Sequence, residues 1–71
     1  MDQQALVKFL LEQIVKEPEA VEVERQGGIL NIRVARRDRG VVVGREGRHI
    51  KALQALVEMT DRNAPRIDLQ E

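Results

Sequence analysis

Two glycines three residues apart separate an apolar run from a helical pattern in the segment Val41-Val42-Val43-Gly44-Arg45-Glu46-Gly47-Arg48-His49-Ile50-Lys51-Ala52-Leu53. From Arg48 to about Asp61 apolar residues recur at helical spacing, so a helix is predicted to begin directly after the second glycine. The first turn of a helix presents unpaired N–H groups and the positive end of its dipole. Glycines at that point allow a sharp turn and a close approach of a phosphate. The pattern therefore predicts an anion-binding loop at residues 44–47.

The basic residues of the chain cluster around this loop. The 12 basic and 12 acidic residues sum to zero, but residues 25–51 carry a net charge of +6, against −4 for residues 1–24 and −2 for residues 52–71. Arg45 lies in the loop, and Arg48 and Lys51 follow on the first turns of the helix. Segregated charge alone also suits a solvated surface. Its coincidence with the loop indicates a site for a polyanion.

The N-terminal segment is predicted to be an amphipathic helix over residues 2–16, ended by Pro18 because the residue before a proline disfavours the helical conformation. Its apolar stripe is expected to contain Leu6, Phe9, Leu10 and Ile14, widened by Val7, Leu11 and Val15. This arc is wider than a small core needs, which hints at a contact with a second subunit.

Alternating residues predict a β-hairpin and a later third strand. Val21 and Val23 alternate with glutamates, and a second apolar set at Leu30, Ile32 and Val34 follows a turn at residues 26–28. A break at residues 63–65 precedes a short strand over residues 66–70. The valines at 41–43 are ambiguous, since their propensity alone favours a strand.

Composition argues against catalysis and against most cofactors. The chain has no Ser, Tyr, Trp or Cys, and it has single His and Thr residues at His49 and Thr60. A nucleophile paired with a histidine base, or a zinc site, has almost nothing from which it could be built. We therefore expect no enzyme, no cofactor and no metal. Phe9 is the only aromatic residue, which excludes stacking platforms of the RRM or OB type, and the sequences typical of P-loops and dinucleotide sites are absent.

The N-terminal residues and the hydropathy of the chain indicate the compartment. The first residues are acidic and polar, unlike the basic start of a signal peptide. No apolar run approaches the roughly 18 residues of a membrane span. We expect a cytoplasmic protein without a membrane partner.

The segment around the glycines resembles the V-I-G-x-x-G-x-x-I signature of the KH domain. The resemblance implies that residues 38–43 form a short helix despite their valines. The helix and strand that precede the shared core make the whole chain, residues 1–71, similar to a single type II KH domain. That fold is α+β, in the order α-β-β-α-α-β, with a three-stranded sheet and its helices on one face. The chain resembles the KhpA (YlqC-like) family of small bacterial single-domain KH proteins.

The resemblance implies binding of single-stranded RNA with low sequence specificity, as an RNA chaperone or post-transcriptional regulator. Members of the family associate with themselves or with a second KH protein, KhpB (also called Jag or EloR), and are linked to cell elongation and division. The implied phosphate contacts are Gly44, Arg45, Glu46 and Gly47, with Arg48 and Lys51 along the nucleotide path. The implied apolar floor is Val42, Val43, Ile50 and Leu53, and the implied basic rim is Arg36, Arg37 and Arg39.

Several alternatives remain open from the sequence. Ile50 and Leu53 also suit a plain core, and for Leu53 the core is the preferred interpretation. His49 is expected to be an exposed side chain of the first helical turn rather than an RNA contact, and Glu46 partly offsets the charge of Arg45. A different class of function is a protein-interaction subunit with negligible RNA affinity of its own. Single-stranded DNA is a third possibility, because a phosphate cradle does not itself require a 2′-hydroxyl.

Overall fold

In the part of the chain that the structure describes, three helices and three strands follow one another in the predicted order. The computed structural model describes residues 2–61 and 63–70. The helices are α1 (Gln3–Glu12), α2 (Arg39–Val43) and α3 (Arg48–Thr60), and the strands are β1 (Glu22–Gln26), β2 (Ile29–Arg33) and β3 (Arg66–Leu69). Short 3-10 turns cover Pro18–Ala20, Arg36–Asp38 and Arg45–Gly47. This arrangement confirms the order α-β-β-α-α-β.

The strands form a mixed sheet in the order β1-β2-β3. β1 and β2 are antiparallel and are joined at Gly27, whose positive φ of 59° a two-residue hairpin turn requires. β3 returns to lie parallel to β2, with Ile67 opposite Leu30. Leu30, Ile32 and Ile67 are buried, whereas Asn31, between Leu30 and Ile32, points to the other face. The buried face is the one that the helices cover.

One apolar core joins the helices to this face of the sheet. α3 carries Leu53 and Val57 into it, and α2 contributes Val42. The side chain of Gln54 ties α3 to β3, because its amide oxygen accepts a hydrogen bond from Ile67 N at 2.8 Å. The members of the core are Val7, Leu11, Val15, Val21, Leu30, Ile32, Val34, Val42, Leu53, Val57 and Ile67. The sheet and α3 thus provide a fixed support for the loop that precedes α3.

The first helix is shorter than predicted. α1 ends at Glu12 rather than near residue 16, and its last turn tightens through hydrogen bonds from Gln13 N to Leu10 O and from Ile14 N to Leu11 O. The amides of Lys16 and Glu17 do not continue the helix. They donate to the carboxylate of Asp38, at 2.9 and 3.0 Å. A side chain from a distant segment therefore competes with the helical hydrogen bonds, and Pro18 instead begins the following 3-10 turn.

The buried stripe of this N-terminal segment differs from the predicted one. Val7, Leu11 and Val15 form the buried side, whereas Phe9 is 58% exposed and Ile14 is 40% exposed. The spacing i, i+4, i+8 of the three buried residues is also helical, so the sequence contained both possibilities. The two valines and the leucine of this stripe therefore pack into the core, and the side chain of Phe9 is left in solvent.

The ambiguous valines are helical, as the KH resemblance implies. α2 begins at Arg39 and is preceded by the 3-10 turn, so the predicted helix over residues 38–43 is correct to within one residue. Val42 is fully buried in the core, which outweighs the modest helix propensity of valine. Asp38 is also buried, at 1% exposure, and it holds the start of α2 against the end of the α1 segment.

Candidate nucleic-acid interface

The loop between α2 and α3 is a tight turn framed by two glycines in conformations that L-residues avoid. Gly44 has φ 75° and ψ 173°, and Gly47 has φ 74° and ψ 17°. Glu46 between them has φ 57°, the only positive φ of a non-glycine residue in the described part of the chain. Gly47 N bonds back to Gly44 O at 3.2 Å. The predicted sharp turn before α3 is therefore present, and its geometry explains both glycines.

His49 holds this loop in place. Its Nδ1 lies 2.6 Å from the carbonyl oxygen of Val41, and because a carbonyl can only accept, Nδ1 must carry the proton. A Cβ built on Gly44 would lie 2.7 Å from His49 Cγ, so the imidazole is packed directly against the glycine. His49 is exposed, as expected, but the structure adds a role as a tie between the first turn of α3 and the end of α2.

The cations predicted at the loop surround it. Arg45 and Arg48 are exposed, and the side chain of Lys51 folds back so that its Cε would lie 3.7 Å from a Cβ at Gly47. The amides that begin a helical turn have no partner within it, and in this turn they belong to Arg45 and Glu46. Amide donors and positive side chains thus share one exposed surface, which can bind an anion.

The four residues implied as an apolar floor separate into two groups. Val42 is fully buried and Leu53 is 7% exposed, so both belong to the core. The implied contact of Val42 with bases is therefore wrong, since this side chain has no surface to offer, and the core interpretation of Leu53 is confirmed. Val43 and Ile50 are half-buried and remain available as a small apolar surface beside the loop.

The three arginines implied as a basic rim also lie in two different environments. Arg37 pairs with Glu17, with Arg37 Nε 3.2 Å from Glu17 Oε2, and this contact lies toward the α1 segment. Arg36 and Arg39 instead line a cavity of about 440 Å³ together with Arg33 and Val34. Sequence reasoning counted Arg33 as charge but did not place it in the site. The alternating strand pattern gave no sign that the end of β2 opens beside the start of α2.

The open face of the sheet is less suited to a polyanion. A second cavity of about 210 Å³ on the open face of the sheet is lined by Glu22 and Glu24 together with Arg33, which pairs with Glu22 across the hairpin and borders both cavities. Among residues 2–61 and 63–70, no group of three or more His, Cys, Asp or Glu side chains could hold a metal ion. No helix in the same ranges is long and apolar enough to cross a membrane.

The order of the elements and the glycine-framed turn between α2 and α3 define a type II KH domain. A family model described as "KhpA/KhpB, KH domain" matches residues 4–66. The chain belongs to this KhpA/KhpB family, which confirms the resemblance seen in the sequence.

Curated relatives support the same assignment. The protein named RNA-binding protein KhpA of Chlamydia pneumoniae is 34% identical over 67 residues, covering 87% of this chain and 86% of its own. The protein of the same name from Streptomyces coelicolor is 37% identical, covering 89% and 85%. That of Caldanaerobacter subterraneus is 39% identical over 57 residues, covering 75% and 76%. No solved structure gives a significant match.

Proposed function

We propose that this chain is a cytoplasmic protein that binds single-stranded RNA with low sequence specificity, through the loop at residues 44–47. The observation that carries the proposal is the turn itself, in which two glycines with positive φ frame the amides of Arg45 and Glu46, and these amides have no partner within the turn. Arg45, Arg48 and Lys51 add positive charge at the same place. The name of the relatives, RNA-binding protein KhpA, agrees with this chemistry.

Low specificity follows from the kind of contact that the loop can make. Backbone amides and arginine side chains bind phosphate oxygens, and such contacts position a strand without reading its bases. The half-buried side chains of Val43 and Ile50 offer bases an apolar contact but few hydrogen bonds. A protein of this kind suits the role of an RNA chaperone or post-transcriptional regulator, which acts on many sequences.

The direct test replaces the one cation of the loop with a carboxylate and keeps both glycines that set its backbone. The variant Arg45→Asp with Glu46→Asp keeps both glycines, and aspartate tolerates the positive φ at position 46 better than most residues. We expect RNA affinity to fall by at least about tenfold, because two carboxylates would face the phosphate. Fluorescence anisotropy with short labelled single-stranded RNA measures this affinity.

The matched control is Arg25→Glu, which changes the net charge by the same amount near the hairpin turn. It should bind RNA within about twofold of the wild-type protein, apart from the weak long-range effect of charge. Equal binding by the loop variant and the wild-type protein would place the RNA site elsewhere. Tighter binding of single-stranded RNA than of single-stranded DNA of the same sequence would show that RNA is the preferred ligand.

A second candidate function, self-association or pairing with a KhpB-type protein, is favoured by exposed apolar side chains. Met59 is 82% exposed on α3 and Phe9 is 58% exposed on α1. Gln3 Nε2 donates to Thr60 Oγ1 at 3.1 Å, which brings the start of α1 beside the end of α3. Large exposed apolar side chains on adjacent helices are typical of a protein contact.

Sedimentation velocity tests the self-association. If the chain forms a dimer through these helices, Met59→Glu should shift it to the monomer, because a carboxylate in an apolar contact loses its hydration. Lys8→Gln changes the net charge by the same amount on an exposed position of α1 and should leave the dimer intact. A wild-type protein that is monomeric at high concentration would reject the homodimer and leave a heteromeric partner to be sought.

A further inference from the structure

We infer that the cavity lined by Arg33, Arg36 and Arg39 is a second phosphate subsite, which binds a phosphodiester of the same RNA strand beyond the nucleotides at the glycine loop. This arginine cavity extends the proposed function and rests on it. It lies at the start of α2, whereas the loop follows the end of α2. The inference assigns a binding role to Arg33 and removes one from Arg37.

The composition of the arginine cavity favours an anion. Three of the four residues that line it are arginines and the fourth is Val34, so its described lining includes no carboxylate. Arg33 and Arg36 are exposed, and guanidinium groups bind phosphate oxygens through two parallel hydrogen bonds. A volume of about 440 Å³ readily admits a phosphate group. The geometry favours phosphate over an apolar or cationic ligand.

The position of the arginine cavity relative to the loop favours one continuous strand. Arg39 begins α2 and Val43 ends it, directly before Gly44. These two residues are four apart, so they lie on the same side of the helix, and both are half-buried. The axis from Arg39 to Val43 spans about 6 Å at about 1.5 Å per residue, and Arg33 and Arg36 precede this helix, so the arginine cavity lies at the end of α2 that is farther from the loop. A strand that follows this side of α2 reaches both sites.

The contact of Arg37 explains why this arginine does not take part. Its guanidinium lies against Glu17, 3.2 Å from the carboxylate, and it does not line the arginine cavity. Arg36 and Arg37 are adjacent in one 3-10 turn, and both are exposed. The pair therefore offers a matched comparison, in which the same substitution at neighbouring positions changes the charge equally but only one substitution alters the cavity.

The experiment compares Arg36→Gln, Arg33→Gln and Arg37→Gln by fluorescence anisotropy on labelled single-stranded RNAs of about four and about eight nucleotides, since a KH cleft clamps about four. We expect Arg36→Gln and Arg33→Gln each to weaken binding of the longer RNA by about three- to tenfold. Each should also lower the slope of log affinity against log salt by about 0.7, the value for one phosphate contact on a single strand. Binding of the shorter RNA should be unchanged. Arg37→Gln should stay within about twofold on both RNAs.

Distinct results would overturn the inference. Equal weakening by Arg37→Gln and Arg36→Gln would show a diffuse charge effect, and equal weakening on both RNA lengths would place Arg36 at the loop site. The cavity could instead bind free phosphate. In that case Arg36→Gln would weaken the binding of inorganic phosphate, but the affinities for the shorter and the longer RNA would stay as in the wild-type protein. That outcome would reject the assignment to the strand.

The loop variant Arg45→Asp with Glu46→Asp separates a failure of this inference from a failure of the proposed function. If the loop variant loses RNA while Arg36→Gln and Arg33→Gln bind like the wild-type protein, the arginine cavity is not a subsite and the proposed function stands. If the loop variant binds normally and the cavity variants do not, the loop assignment fails and the cavity is the RNA site. Absence of binding by the wild-type protein to either RNA rejects both.

Discussion

Replacement of Gly44 by alanine is expected to lower the free energy of unfolding by about 2–4 kcal/mol, from backbone strain together with overpacking. Gly44 has φ 75° and ψ 173°, a region that only glycine adopts freely. The new Cβ would also lie 2.7 Å from His49 Cγ and 2.9 Å from His49 N. The second atom belongs to the backbone of α3 and cannot rotate away, so the loop or the helix must shift.

Gly40 provides the matched control for this measurement. A Cβ at Gly40 would meet nothing within 4 Å, and the residue lies within α2 without a positive φ. Alanine is about 1 kcal/mol more favourable than glycine in a helix, so Gly40→Ala should stabilise the domain slightly. Urea denaturation of both variants measures the difference. A Gly44→Ala protein as stable as the wild type would show that the loop relaxes without cost.

His49→Ala, alone and combined with Gly44→Ala, separates the two contributions. Removal of the imidazole relieves the contact with Cγ but leaves the contact with the His49 amide and the strained φ. The double variant should therefore recover only part of the loss caused by Gly44→Ala. Full recovery would mean that the imidazole alone makes glycine necessary at this position.

Replacement of Asp38 by asparagine is expected to lower the free energy of unfolding by about 2–3 kcal/mol, the range for a buried polar group that loses a charged partner. Asp38 is 1% exposed, and its two carboxylate oxygens accept from Lys16 N at 2.9 Å and from Glu17 N at 3.0 Å. Asparagine has nearly the same shape but only one accepting oxygen. Its amide group would face a backbone N–H, which leaves a buried donor without an acceptor.

Asp68→Asn is the control for the Asp38 substitution. Asp68 is exposed on β3, where its carboxylate accepts from Gln70 Nε2 at 3.1 Å, so the same exchange should change stability by no more than about 0.5 kcal/mol. A domain of this length has a total stability of only about 4–10 kcal/mol. The loss at Asp38 is therefore readily measured by urea denaturation. Equal effects of the two substitutions would contradict a special role of the buried carboxylate.

The elements of the fold could be predicted where the signal is local. The hairpin follows from alternating residues and the turn at Gly27, and α3 follows from its apolar spacing after Gly47. The end of α1 could not be predicted, because it depends on a carboxylate more than 20 residues away in the chain. The apolar spacing alone likewise did not distinguish Val7 and Leu11 from Leu6 and Phe9 as the buried side.

The candidate site was predictable to a similar extent. The glycine pair and its charges identify the loop from the sequence alone. The role of each neighbour depends on which side of a five-residue helix it occupies, and so the resemblance places Val42 in the apolar floor for bases although it is buried in the core. Arg36 and Arg37 are equivalent in sequence, and the structure distinguishes them because Arg37 pairs with Glu17 whereas Arg36 lines the arginine cavity.

The parallel pairing of β3 with β2 has a consequence for the order of folding. The hairpin closes a two-residue turn, but the contact of Ile29 with Arg66 closes a loop that contains both α2 and α3. Loop closure costs more entropy as the loop lengthens, so we expect β1 and β2 to pair early and β3 to join late. The segment at residues 44–47 lies inside that large loop, so we expect its position relative to the sheet to become fixed late as well.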